Sequence, residues 1–160
     1  MIIIDQFTRR IMGFAMHKGD VNGPAVCRMF NEIISGRSLS KGISSDNNPL
    51  FTYHQWQANL RILDIEEIKS VPYSPTSHPF IERAIQAIRI ELLDQILFCT
   101  ADDLQNKLYN YQKLFNTNRS HKSLKAKTPA QKSGINNNII GLKLHLRTKC
   151  SLRSNNYIKI

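Results

Sequence analysis

Asp46 and Glu82 are the two acids whose surroundings in this chain give them something to do. They have 35 residues between them, positions 47 to 81. Asp46 sits in Ser44-Ser45-Asp46-Asn47, just past the short apolar run Gly42-Ile43, which reads as a strand end. Glu82 sits in Pro79-Phe80-Ile81-Glu82-Arg83, where a long amphipathic helix opens. Carboxylates at a strand end and a helix start can share divalent cations, and many enzymes cut and join phosphodiesters that way. A plainer reading stands beside this one. An acid in a first helical turn is favoured by the helix dipole alone, and a chain of this size offers many Asp/Glu pairs.

The elements that must hold these acids follow from periodicity. Ile2-Ile3-Ile4 is β-branched and continuous, the pattern of a strand buried on both faces. Thr8-Arg9-Arg10 reads as a turn, and residues 11–17 as a second strand completing a hairpin. Pro24 suits a first helical turn, and Val26, Met29, Phe30 and Ile33 recur at helical spacing over about 22–35. A helix after Pro49 carries Tyr53, Trp56, Leu60 and Leu63 on one stripe. Glu66 to Val71 reads as a short strand stopped by Pro72. From Pro79 the stripe Ile81, Ile85, Ile88, Leu92, Ile96 marks a long helix. Thr100 with Asp103 looks like a capping box for a last helix with Leu104, Leu108, Tyr111 and Phe115 on one face. Strands and helices alternating in this way predict an α/β layered domain.

Charge narrows the partners. Of 160 residues, the first half holds 8 Lys/Arg against 7 Asp/Glu; the second holds 14 against 5, and no acid follows Asp103. A polyphosphate partner rewards such a basic half through phosphate neutralisation and counterion release, although a solvated basic tail would have the same composition. A polyphosphate is therefore the partner class that the charge favours. No apolar run reaches the roughly 20 residues that a membrane-spanning helix needs, so no membrane is expected. Met1-Ile2-Ile3-Ile4-Asp5 has neither a basic leader nor a cleavage site. Cys27, Cys99 and Cys150 are odd in number and widely spaced, which argues for core or surface thiols in a reducing, cytoplasmic setting.

Several segments carry a family resemblance. They are Ile4 to Phe14, Ser45-Asp46-Asn47, Trp56 to Leu60, Ser77 to Arg83 running on to Asp94, and Phe115-Asn116-Thr117-Asn118-Arg119-Ser120-His121 with Leu124, Thr128 and Pro129. Together they resemble the catalytic core of retroviral-type integrases and bacterial insertion-sequence transposases, the DDE family, over about residues 2–134. The resemblance implies a ribonuclease-H-like fold, a five-stranded mixed sheet flanked by helices, with strand order 3-2-1-4-5. It also implies polynucleotidyl transfer on DNA with Mg²⁺ or Mn²⁺ held by two aspartates and a glutamate, and a homo-oligomer as the working unit. By that resemblance Asp46 and Glu82 are two of the three ligands, both catalytic and metal-binding. Mg²⁺ suits such a site because it takes hard oxygen ligands and leaves positions open for phosphates.

The third ligand is the difficulty. The family's first catalytic aspartate lies on its first, central strand, upstream of the hairpin that opens this chain. Asp5 falls where the family carries a turn acceptor and is not that ligand. The resemblance thus implies a core truncated at its N-terminus, lacking its central strand and expected to be inactive alone. Alternatives are a wrongly assigned start, another segment filling the gap, or a non-catalytic DNA-binding or dimerising remnant. Leu142 to Arg147 alternates apolar and basic and would make a fair half-buried strand. The expectation is nevertheless a core over 1–134 and an appended, basic, partly ordered tail over 135–160, with Asn136-Asn137-Asn138 as linker.

For DNA contact the candidates are Arg83 and Arg89 on the long helix, Lys113 and Arg119 at the end of the next, and His121 and Lys122 beyond it. Lys107, Lys125 and Lys127 add to the same basic run. Such contacts position backbone phosphates and read no sequence. His54 and His78 are expected as surface or loop residues, and Trp56 as a core anchor.

Overall fold

In the computed structural model, described for residues 1–37, 41–46, 48–69, 79–134, 141–145 and 158–159, a mixed five-stranded sheet lies between two helical layers. The elements are β1 (Ile2–Asp5), β2 (Ile11–Phe14), β3 (His17–Lys18), α1 (Gly23–Ile34), β4 (Gly42–Ser45), α2 (His54–Ile62), β5 (Glu66–Lys69), α3 (Pro79–Ile88), α4 (Ala101–Asn118), α5 (Pro129–Ser133), β6 (Gly141–His145) and β7 (Ile158–Lys159). A 3₁₀ turn, Pro49–Thr52, leads into α2, and a π turn, Arg89–Leu93, continues α3. The loop containing Pro72, Pro75 and His78, and the Asn136–Asn138 linker, lie outside the described residues.

β1 shows why the sheet is sandwiched. Its residues are all buried, and strand alternation sends them to opposite faces. Ile3 joins the cluster of α1 and α2 with Val26, Phe30 and Trp56; Ile2 and Ile4 join that of α3 and α4 with Ile81, Ile88, Leu104 and Leu108. Each such isoleucine contributes about 1.5–3 kcal/mol by leaving water. Trp56 is the core anchor expected of it. It is fully buried, with Phe30 and Phe51 rings each 5.1 Å away, and its indole N–H donates to Glu67 Oε1 at 3.0 Å.

The strand order is β2-β1-β6-β4-β5. β6, from beyond residue 134, holds the central place in that order. Residues 141–145 enter between β1 and β4, antiparallel to the first and parallel to the second. The physical reason is the ladder. Without a strand there, β1 and β4 would each leave a row of backbone donors and acceptors unpaired between two buried faces. An alternating run restores those bonds whatever its place in the chain.

The outer edge at β2 is closed differently. Asn116, buried on α4, accepts from Ile11 N at 2.9 Å and donates to Ile11 O at 2.9 Å, so one amide imitates a neighbouring strand. Gln112 adds donors to Ile11 O and Met12 O at 3.1 and 3.0 Å. On the opposite face, β2 approaches α1 so closely that a Cβ at Gly13 would sit 2.8 Å from Ile33 Cγ2.

Candidate functional site

Asp46 follows β4 directly and is half-buried. Its Oδ1 accepts from Asn48 N at 3.2 Å, and Asn48 Oδ1 accepts in turn from Leu50 N at 3.0 Å, so two side chains turn the chain into the 3₁₀ segment. The register also shows what lies beside it. Ser45 pairs with Leu144, and His145 pairs with Ile2. One step along the parallel pair therefore sets Asp46 level with His145, at the end of the sheet where β1 begins. Asp5, at the other end, is a buried turn acceptor for Phe7 N at 2.9 Å and for the Thr8 hydroxyl, as its place before the turn implied.

Glu82 stands in the first turn of α3 and is exposed. Ile81, Ala84 and Ile88 on the same helix are buried in the cluster that includes Ile2 and Ile4, and α3 also lies over β6. The carboxylate is thus on the solvent side of the helix that crosses the sheet's centre. Among the described residues no three His, Cys, Asp or Glu side chains form a group able to hold a metal ion. Two hard carboxylates match the chemistry of Mg²⁺, but the donor set falls short of a closed pair of ion sites. The strand now at the sheet's centre, Gly-Leu-Lys-Leu-His, carries no acid.

The basic candidates divide into two groups. Arg83, Arg89, Lys113 and Lys122 are exposed. Arg119 and His121 are half-buried and serve the fold as well. Arg119 Nη1 binds both oxygens of Glu91, which sits in the π turn, and its guanidinium lies over the Phe115 ring at 5.4 Å. This pairing holds Glu91 below the usual carboxylate range, assisted by the Tyr111 hydroxyl donating to Oε2 at 2.9 Å. Burial, with smaller contributions from Arg119 and Arg9, lowers the His121 pKa. The His121 ring stands edge-on to Phe115 at 5.1 Å.

Three roles were not read from the sequence. Glu67, on β5, gathers Ser45 Oγ at 2.6 Å, Trp56 Nε1 at 3.0 Å and Gln57 Nε2 at 2.5 Å. A buried indole N–H needs an acceptor, and the only sequence signal was an acid within a short strand after the Trp56 helix. Asn116 lay inside the matched Phe115–His121 segment, but an asparagine in a helix gives no sign that it closes a sheet edge. Arg9 holds a left-handed backbone, φ +62°, in the β1–β2 turn, and its guanidinium lies 3.2 Å from the Phe80 ring centroid. Only the turn itself was legible.

Comparisons with known proteins fall into place on this geometry. Residues 63–129 match the integrase core domain family. Over 131 residues the chain is 27% identical to the insertion element IS476 uncharacterized 39.2 kDa protein of Xanthomonas euvesicatoria, covering 82% of this chain. The chain spans 38% of that relative's length. Among solved structures, a chain of the simian T-cell lymphotropic virus intasome in complex with PP2A regulatory subunit B56 gamma superposes with a TM-score of 0.66 at 19% identity, over 98% of this chain and 59% of that one. The HTLV-2 integrase catalytic core domain, solved with magnesium in a dimeric form, gives 0.60 at 20% identity over 81% of each chain. The BIV integrase catalytic core gives 0.55 at 22% over 71% of each. At these identities the superpositions speak for the ribonuclease-H-like fold. Family match, curated relative and fold agree: residues 63–129 match the integrase core domain, and the chain is similar to an insertion-element protein in sequence and to integrase catalytic cores in fold.

Proposed function

We propose that this chain works in DNA integration or transposition as a catalytic-core segment that engages DNA but does not complete the phosphodiester chemistry by itself. The match of residues 63–129 to the integrase core domain supports the DNA partner, as does the basic second half of the chain. The observation that carries the second clause is the sheet's centre. The strand beside Asp46 is Gly141–His145, without a carboxylate, so Asp46 and Glu82 are the acids left to meet Mg²⁺ or Mn²⁺. When bound in this family such ions would sharpen the attacking oxygen and neutralise the leaving one. With two acids, metal binding is impaired.

Each remaining part has an assignable task. Asp46 and Glu82 are the candidate metal and catalytic carboxylates. Arg83, Arg89, Lys113 and Lys122 are exposed cations that would lie along a DNA backbone, with log K falling linearly in log salt as counterions are released. A homo-oligomer is proposed from the dimeric and trimeric forms of the HTLV-2 core. Among the described residues no helix is long and apolar enough to cross a membrane, and a cytoplasmic setting is proposed.

The test is strand transfer and end cleavage on labelled duplex DNA with Mg²⁺ or Mn²⁺. This chain should bind the DNA and release no product. Metal-dependent product that disappears in Glu82→Gln would overturn the inactive reading while upholding that ligand. Absence of any salt-dependent DNA binding would remove the reading as a whole.

A further inference from the structure

At the turn end of the sheet, away from Asp46, a cleft of about 170 Å³ opens between the β1–β2 turn, α3 and the segment after α4. Its polar lining comes from Arg9, Arg83, Arg119, His121 and Ser123, with Phe80 and Phe115 as walls. No acid lines it. We propose that this cleft is a phosphate-binding site, seating one backbone phosphate of the DNA on which the chain works. The proposal rests on the DNA reading above and deepens it by naming a seat.

Three observations converge. First, the cations are held in place. Arg119 is fixed by Glu91 and Phe115, and Arg9 by the Phe80 ring, by a bond to Gln6 O and by its left-handed turn. A left-handed backbone is uncommon for a residue with a Cβ and persists where its surroundings enforce it. Second, two buried nitrogens, Arg9 Nε and His121 Nε2, make no hydrogen bond. Unpaired buried donors are rare, and an anion's oxygens are the acceptors that would satisfy them. Third, charge is only partly offset. Glu91 answers Arg119 and Asp5 lies behind Arg9, while Arg83 stands exposed at the cleft mouth. A guanidinium fork suits a tetrahedral oxyanion, and Ser123 brings a hydroxyl donor.

A phosphate in this seat would accept from Arg83 and Arg9 and from the His121 Nε2–H tautomer. It would join three segments that are far apart in sequence, the turn, α3 and the 119–123 segment. A DNA strand anchored there would be fixed at the end of the sheet opposite Asp46, about 10 Å along the strand direction and two strands across.

The experiment uses the whole chain, metal-free, at constant ionic strength set with chloride. Inorganic phosphate is titrated while the His121 ring and the Arg9 and Arg83 side-chain signals are followed by NMR. Saturable shifts confined to these groups are expected, weakened at least tenfold in Arg83→Gln and in His121→Phe. Arg83 is exposed and its replacement leaves the fold intact, which a thermal scan verifies. Duplex DNA should compete with phosphate, and Arg83→Gln should lower the salt slope of DNA binding by about one. No saturable shift beyond the chloride control, or an unchanged affinity in Arg83→Gln, would overturn the site. Phosphate binding without competition by DNA would overturn its assignment to the backbone, whereas DNA binding with an unaltered slope in Arg83→Gln would spare the general reading and sink this one.

Discussion

The two ends of the central sheet are built by different means. At one end Asp46 stands on a strand terminus, beside a strand that contributes no acid. At the other end Arg9, Arg119 and His121 are clamped by aromatic rings, an ion pair and a left-handed turn. The first end has recognisable chemistry and little scaffolding; the second has scaffolding around a cleft to which no chemistry had been attached. Backbone hydrogen bonding is indifferent to side-chain identity, so a substitute strand can repair the ladder. A metal centre depends on side chains at fixed register positions, and the same strand does nothing for it.

The largest expected effect comes from unpicking the built end. Asn116→Ala strips the side-chain acceptor from Ile11 N and leaves Ile11 O to Gln112 alone. One buried backbone N–H without a partner should cost about 1–3 kcal/mol. Urea unfolding would show this as a lower midpoint with an unchanged slope, and a loss below 1 kcal/mol would mean that water replaces the amide. The cleft should lose its phosphate response in parallel, because Asn116 holds α4 beside the turn.

The next test sharpens the bare end. His145→Asp places a carboxylate level with Asp46 in the register that pairs Ser45 with Leu144 and Ile2 with His145. If the missing acid is what limits metal binding, Mn²⁺ affinity measured by calorimetry should rise about tenfold, or 1.4 kcal/mol. An unchanged affinity would show that restoring the position does not restore the site.

How much of this was legible can be argued residue by residue. The hairpin, α1 and α4 follow from local apolar spacing: α1 lies within a residue of the expected 22–35 and α4 starts after Thr100, whereas the second hairpin strand ends at Phe14 and not at residue 17. Asp46 and Glu82 were legible because each sits at an element boundary that local residues define. The placement of residues 141–145 was not. Their alternation announces a strand, but the sequence says nothing of which gap a strand will fill, because that depends on two unpaired neighbours more than 90 residues away. The cleft was hidden for a similar reason. Arg83, Arg119 and His121 drew notice as part of a basic run, whereas their convergence with Arg9 is a property of the fold.

A smaller effect concerns the ion pair that holds Arg119. Glu91 has a depressed pKa, so its contribution to stability is present above its ordinary value of 4.5 and is lost as pH falls through the lower folded value. His121 is also depressed, from 6.5, so its contribution is present above that value and is lost as pH falls from there through the lower folded value. Thermal stability should therefore decline in two windows, one starting near pH 6.5 and removed in His121→Asn, the other starting near 4.5 and removed in Glu91→Gln. Because the Glu91 pair is about two-fifths exposed, its loss should cost below about 1 kcal/mol.

The smallest effect belongs to Glu82, and its smallness carries the argument. An exposed carboxylate in a first helical turn gains at most a few tenths of a kcal/mol from the dipole. Glu82→Gln should therefore shift the melting temperature by no more than about 1–2 °C, given that roughly 1 kcal/mol corresponds to 2–8 °C in domains of this size range. A residue that can be removed at so little cost to the fold is free to serve a cation. A drop of several kcal/mol would instead make Glu82 part of the scaffold and leave Asp46 without a second acid to share a cation.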